Sequence, residues 1–241
     1  MKAIILNSGI GSRLGYYTKD KTKCMVPVKG NISIIQHQLK QLKKAGITEV
    51  IITTGYMREV LEQFVENLED ELEITFVNNP DYITTNYIKS LELVECENDD
   101  VILLHGDLIF ESRVLSSVVE STKSCMIIDR TLELPSKDFK AKMNWDRIEA
   151  IGISYFGDDC VAAQPMYKLL HKDWVIWKNS IHDFCINGND KVYAEEAFNK
   201  VSSEMVLIGI DINGLLCNEI DDEEDLHRMR RILEKEEYMN E

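Results

Sequence analysis

Residues 4–28 read IILNSGIGSRLGYYTKDKTKCMVPV. The apolar run at 3–6 suits a short buried strand. A small, polar, glycine-bearing loop follows. After it come Arg13, a lysine-rich run ending in Lys23, and a second apolar run at 25–28. Glycines let main-chain N–H groups approach a ligand closely, and Arg13 and Lys23 supply charge-assisted bonds beside them. An ordinary turn needs no such anchors, whereas a phosphate-rich ligand does.

Outward from this stretch, strand and helix patterns alternate. Residues 2–6, 49–54, 72–77, 101–104 and 124–129 read as strands. Between them, residues 33–45, 58–68, 86–94 and 111–121 carry apolar side chains at helical spacing, as Ile34, Ile35, Leu39 and Leu42 do before the stop at Gly46. Near-continuously apolar strands in this rhythm predict an α/β fold, with a mostly parallel, Rossmann-like sheet covered by helices on both faces. The second half is less regular. Residues 139–145 and 147–153 read as a hairpin, 163–180 as a helix interrupted early by Pro165, and 193–200 as a short helix. Residues 205–210 and 215–220 read as extended, and 222–237 as a charged helix with Leu226, Met229 and Leu233 inward. No repeat or Pro/Gly linker divides the chain, so residues 1–241 are expected to form a single domain.

Composition narrows the function. With 44% hydrophobic and 29% charged residues the chain reads as soluble and globular. Its apolar runs are too short for a membrane span, and residues 1–6 lack a secretory core, so a cytoplasmic protein is expected. A net charge of −15 argues against a nucleic-acid partner. Arg13, Lys19, Lys21 and Lys23 nevertheless concentrate positive charge in the opening loop. None of the six cysteines forms a Cys-x-x-Cys pair or stands near a histidine at zinc spacing, and Cys24 and Cys125 read as small core residues.

The loop fails two familiar patterns. A dinucleotide fingerprint opens a helix at once and places an acidic residue at the end of the second strand. Here Arg13 to Lys21 has no apolar helix face, and Thr53, Thr54 and Gly55 are not acidic. A Walker A loop needs Gly-Lys-Ser/Thr, which is absent.

What remains, Leu6-Asn7-Ser8-Gly9-Ile10-Gly11-Ser12-Arg13-Leu14, then Thr18, then Lys23-Cys24-Met25-Val26-Pro27-Val28, resembles the signature of the nucleotidyltransferases that make sugar nucleotides and CDP-alcohols. Asn7 and Ser8 replace two alanines of that signature, Tyr16 and Tyr17 a proline-leucine pair, and Thr22 a proline. The stretch 84–91 (TTNYIKSL) resembles the segment that lies beside the nucleotide in the phosphocholine cytidylyltransferase branch. The resemblance implies nucleotide contacts from Leu6, Asn7, Ser8, Gly9, Gly11, Ser12, Arg13, Lys23, Thr84, Thr85, Asn86 and Gly106.

Asp107 follows the strand 101–104, at the carboxyl end where α/β sheets bind ligands. In the family a Gly-Asp at this place holds Mg²⁺, and Gly106-Asp107 matches it. The stretch 219–221 (EID) resembles the family's Glu-Ile-Asp before its last helix, which makes Asp221 the second metal carboxylate, with Glu219 in reserve.

The resemblance thus implies transfer of CMP from CTP to a small phosphorylated or phosphonylated amine, with release of pyrophosphate. Arg13 would hold the triphosphate and Lys23 would sit at the reacting phosphates. The acceptor would be of the phosphocholine or 2-aminoethylphosphonate kind, read by a lobe at about 130–200. Its candidate contacts are the aromatic residues Trp145 and Tyr155, with Phe156, and the carboxylates Asp129 and Glu195, while Trp174 and Trp177 suit the core at their helical spacing. A sugar-1-phosphate transferase using UTP or dTTP, and a non-catalytic nucleotide-binding regulator, remain open alternatives.

Overall fold

The computed structural model describes residues 1–68, 71–96 and 98–235. The first half contains β1 (Lys2–Leu6), β2 (Pro27–Lys29), β3 (Ile32–Ser33), α1 (Ile34–Lys44), β4 (Glu49–Thr54), α2 (Arg58–Glu66) and β5 (Glu73–Asn78). There follow α3 (Tyr87–Glu92), β6 (Val101–His105), β7 (Leu108–Phe110), α4 (Ser112–Glu120) and β8 (Cys125–Asp129). The second half contains β9 (Lys140–Asn144), β10 (Arg147–Gly152), β11 (Cys160–Leu169), α5 (His171–Ile186), α6 (Ala194–Val201), β12 (Ile208–Asp211), β13 (Cys217–Glu219) and α7 (Glu223–Lys235). Two short 3-10 turns, Ser12–Thr18 and Lys23–Met25, lie between β1 and β2. The reading of the last helix as far as residue 237 reaches beyond the described residues at Glu236 and Glu237.

Nine strands form one sheet in the order β5-β4-β1-β6-β11-β8-β12-β10-β9. Its first four are parallel, with Ile4 opposite both Ile51 and Leu103. Period-two alternation splits their side chains between two faces. Ile4, Ile51, Leu103 and Met126 face α3, α5 and α6, whereas Ile5, Ile52, Leu104 and Ile127 face α1, α2 and α4. Helices therefore cover both faces, as expected. Helix α1 begins where its sequence says it should. Ser33 accepts from the Gln36 N–H while the Gln36 side chain accepts from the Ser33 N–H, a reciprocal cap of two otherwise unsatisfied donors.

The sheet is mixed rather than mostly parallel. Strand β11 runs antiparallel to both β6 and β8, and β9 pairs antiparallel with β10 and with β11. The stretch 130–200 thus builds three strands into the main sheet. The cause of the misreading is β11, whose residues 163–169 read as the start of a helix. A central strand covered on both faces shows a continuous apolar run without alternation, and β11 is buried from Val161 onward. Pro165 is tolerated because the register against β8 shifts between Gln164 and Tyr167, where a bulge removes the need for its missing N–H. The hairpin reading of β9 and β10 agrees with the structure, and Trp174 and Trp177 are core residues.

His37 of α1 is buried, and its Nε2–H donates to the Phe110 carbonyl at 2.7 Å. Burial pushes its pKa down to about 4 from an ordinary 6.5, against the raising effect of that carbonyl. The unfolded chain binds this proton near pH 6.5 and the folded chain only near pH 4, so stability is full at neutral pH and falls as pH drops through the window. Urea unfolding at pH 7 and pH 5 is expected to show wild type losing roughly 2 kcal/mol more than His37→Gln over that interval. Equal losses in the two proteins would show that His37 does not carry the effect.

Candidate active site

The carboxyl ends of β1 and β6 lie side by side, and the residues beyond them line one cleft. After β1 the chain turns through Gly11, whose φ of 67° and close approach to Lys23 (an added Cβ would lie 2.9 Å from the Lys23 Cβ) leave room for glycine only. The 3-10 turn Lys23–Met25 then aims Lys23 back across the loop. Its ammonium donates to Asp107 Oδ2 at 2.6 Å and to Asp221 Oδ1 at 2.8 Å, and Arg13 donates to the same Asp221 oxygen at 2.9 Å.

Asp107 and Asp221 meet because β7 and β13 form an antiparallel ribbon. Leu108 stands opposite Glu219 there, and the Ile220 N–H donates to the Asp107 carbonyl at 3.0 Å. Asp107 therefore sits beyond β6 and Asp221 beyond β13, on one side of the cleft. Burial alone would lower the pKa of Lys23, but the carboxylates of Asp107 and Asp221 outweigh it and hold the group above the ordinary lysine value. Burial pushes the Asp107 carboxyl up, yet Lys23 and His105 bring it below the ordinary range. Glu219 has no such cation. Burial and the neighbouring Asp107 push it up to about 7, and His105 only partly opposes them.

The cleft has a volume of about 480 Å³, within the span of small-molecule sites. Residues 9–13, Lys23, Asp107 and Asp221 line it together with Tyr87, His105, Phe139, Ile153, Tyr193 and Glu219. It opens into a side pocket of about 200 Å³, where Leu6, Ser8, Thr85 and Asn86 meet Asn79, Tyr82 and Ser90. The hydroxyls here are tied together: Ser8 lies 2.7 Å from Ser90 and donates to Thr53 at 2.9 Å, and Asn79 Nδ2 donates to Ser90 and Thr85 at 3.1 Å.

Most of the residues singled out for the nucleotide and the metal are thus brought together. Thr84 is not among the lining residues; its hydroxyl donates to the Asp81 carbonyl. The four acceptor candidates stand elsewhere. Asp129 accepts from the Thr131 N–H at 2.8 Å and hydroxyl at 2.7 Å and from the Gly214 N–H at 3.2 Å, and so fastens two loops at the end of β8. Trp145 is 92% exposed at the tip of the β9–β10 hairpin. Tyr155 packs against Gly152 outside the lining, which its neighbour Ile153 joins. Glu195 is buried, and its two oxygens accept from the hydroxyls of Tyr87 and Tyr167, so that it touches the cleft only through Tyr87. The aromatic wall consists instead of Tyr87, Phe139 and Tyr193, with centroids 5.3 Å apart for Phe139–Tyr193 and 5.8 Å for Tyr87–Tyr193. Asn79, immediately beyond β5, was findable by the strand-end rule that selects Asp107. Of the wall aromatics, Tyr87 falls in the stretch 84–91 singled out by resemblance, whereas Phe139 and Tyr193 carried no such signal.

Residues 2–130 match the model of the nucleotidyl transferase family. The chain belongs to that family. A CMP-5'-(3-aminopropyl)phosphonate synthase of Streptomyces rubellomurinus is 34% identical over 128 residues, covering 53% of this chain and 20% of that protein. A CTP:phosphoglutamine cytidylyltransferase of Campylobacter jejuni is 32% identical over 136 residues, covering 53% of this chain and 52% of that one. The chain thus spans from a fifth to about half the length of these curated relatives. The solved CTP:phosphocholine cytidylyltransferase from Streptococcus pneumoniae shares the fold, with a TM-score of 0.79 over 96% of this chain and 98% of that one at 21% identity.

Gly106 lets β6 and β1 close on each other. A Cβ there would lie 1.9 Å from Asn7 Oδ1 and 2.6 Å from the Leu6 carbonyl. The Asn7 amide could swing aside, but the backbone carbonyl cannot. Gly106→Ala is expected to cost about 1–3 kcal/mol in urea unfolding, as overpacking does. An unchanged midpoint would show that the two strand ends have slack.

Proposed function

We propose that the chain is a CTP-dependent cytidylyltransferase that joins CMP to a small phosphorylated or phosphonylated amine and releases pyrophosphate. The observation that carries this reading is the convergence of Lys23 and Arg13 on Asp107 and Asp221 at the mouth of the glycine loop. The acceptor's phosphate or phosphonate oxygen is already an anion, so attack on the α-phosphorus of CTP requires no general base. The chain's task is to align two anions and offset their charge. The N–H groups of residues 9–13 and the Arg13 guanidinium hold the triphosphate. Lys23 remains charged across the working range of pH. It uses two of its three N–H directions on carboxylates, so the third can serve a phosphoryl oxygen.

A divalent ion fits the same place. Asp107 Oδ1 is buried with no partner among the described residues, and carboxylate oxygens suit Mg²⁺. Asp107 and Asp221 would hold it, and when bound it supplies charge neutralisation at the α-phosphate. The side pocket, with its amide and hydroxyl groups, is the place for the cytosine ring. The wall of Tyr87, Phe139 and Tyr193, with Glu219 beside it, suits an ammonium head group by cation–π and carboxylate attraction.

Pyrophosphate release should be measured with each nucleoside triphosphate against phosphocholine, 2-aminoethylphosphonate and hexose 1-phosphates. Turnover is expected with CTP and an amine-bearing acceptor, and turnover with UTP or dTTP and a hexose phosphate would overturn the reading. Lys23→Ala and Asp107→Ala are each expected to lower kcat by about 100-fold or more while circular dichroism stays native. Full turnover in folded Lys23→Ala would remove that residue from the mechanism.

A further inference from the structure

Outside the charge cluster, the chain buries a cation that the proposed transfer does not use. Lys140 opens β9, opposite Gly152 of β10 and Ala162 of β11. Strand alternation sends Phe139, Ala141 and Met143 into the core and leaves Lys140 on the other face with Lys142. Lys142 is half-buried there, but Lys140 is wholly buried. Two loops cover it. The ammonium donates to the Pro135 carbonyl at 2.6 Å and lies 4.3 Å from the centroid of the Phe156 ring. Both loops run to the cleft. The bond back to Pro135 closes residues 135–140 into a tight ring, from which Lys137, Asp138 and Phe139 line the cleft. Phe156 lies three positions beyond Ile153, which lines it too. These segments bury little of themselves: residues 136–138 are exposed, as are Ile153, Ser154 and residues 156–159. An ammonium buried on a carbonyl and an aromatic face adds little stability, since an apolar side chain of similar length is buried at lower cost. What the cation offers is direction, because one point charge fixes a carbonyl and a ring at once.

We propose that Lys140 is a positioning residue for the acceptor, holding the loops at 135–139 and 153–158 in the arrangement that lines the far side of the cleft. This rests on the proposed reading of that side as the acceptor's. Phe156, an aromatic candidate for acceptor contact in the sequence, then covers the tie and is no part of the wall. Lys140 does not line the cleft and touches no reacting group, so its loss is felt in the acceptor's KM and not in that of CTP.

The test uses the whole chain with CTP and, in separate arms, phosphocholine and 2-aminoethylphosphonate. Lys140→Met is expected to raise the KM of the acceptor that turns over about tenfold, with the KM of CTP within about twofold of wild type and the urea midpoint unchanged. Lys140→Arg keeps a cation able to meet both carbonyl and ring, and is expected to recover most of the loss. An unchanged acceptor KM in Lys140→Met overturns the proposal. So does an equal rise in both KM values, the mark of a general disturbance, or a Lys140→Arg variant as impaired as Lys140→Met. Phe156→Ala, a change at an exposed position, supplies the same readout should Lys140→Met fail to fold. Its acceptor KM is expected to rise about threefold, and no rise overturns the proposal. Trypsin reads the tie without turnover. Cleavage after Lys137 is expected about tenfold faster in Lys140→Met than in wild type and unaltered in Lys172→Met, and equal rates in all three overturn the tie. Failure of the transferase reading would look different: no pyrophosphate from any triphosphate, with the difference in trypsin cleavage intact.

Discussion

A single ammonium group draws together three parts of the chain that are far apart in sequence. Lys23 comes from the turn after β1, Asp107 from the end of β6 and Asp221 from beyond β13. Each anion by itself would be costly at this depth, and so would the cation. Together they hold one another charged, which is why Lys23 lies above and Asp107 below its ordinary pKa. The ribbon of β7 and β13, the mixed sheet behind it and the glycine turn in front of it can all be understood as what this contact requires. Arg13 closes the cluster from the solvent side through the oxygen that Lys23 already uses.

The two halves of the sheet divide the work. The parallel half ends in a row of loops at one edge, and those loops make the glycine turn and the polar side pocket. The antiparallel half brings Phe139, Ile153 and Tyr193 to the far side of the same cleft. The half that the family model matches therefore supplies the glycine loop and Tyr87, and the rest of the chain adds Phe139 and Tyr193 to the aromatic wall.

Sequence legibility follows the same division. Strands β1, β4, β5, β6 and β8 announced themselves because they alternate with segments of clear 3.6-residue period, α1 to α4. Asp107 could be named because a strand end restricts which residues face a ligand, while Lys23 and Asp221 follow from the resemblance of their stretches to the family's signature. Strand β11 reads as helix in the sequence, since burial on both sides erased its alternation and Pro165 passes for an early interruption of that helix. The acceptor side was equally opaque. Helical spacing with Trp174 places Trp177 in the core, but Tyr193 in the wall and Trp145 in solvent lie in irregular sequence, and only the packing separates them. Glu195 illustrates the point from the polar side: a carboxylate in the expected region is engaged by the hydroxyls of Tyr87 and Tyr167.

The ribbon between β7 and β13 also sets an order in time. The glycine loop, β1 and β6 can come together once the first hundred or so residues are present, but Lys23 and Asp221 are separated by 198 positions. Long-range pairings of this kind close last, after the entropy of the intervening loop has been met by other contacts. A nascent or partly folded chain would carry the glycine loop with only one of the two carboxylates that meet Lys23. The completed charge cluster is thus a marker of a finished fold, because Asp221 reaches Lys23 only once β13 has paired with β7.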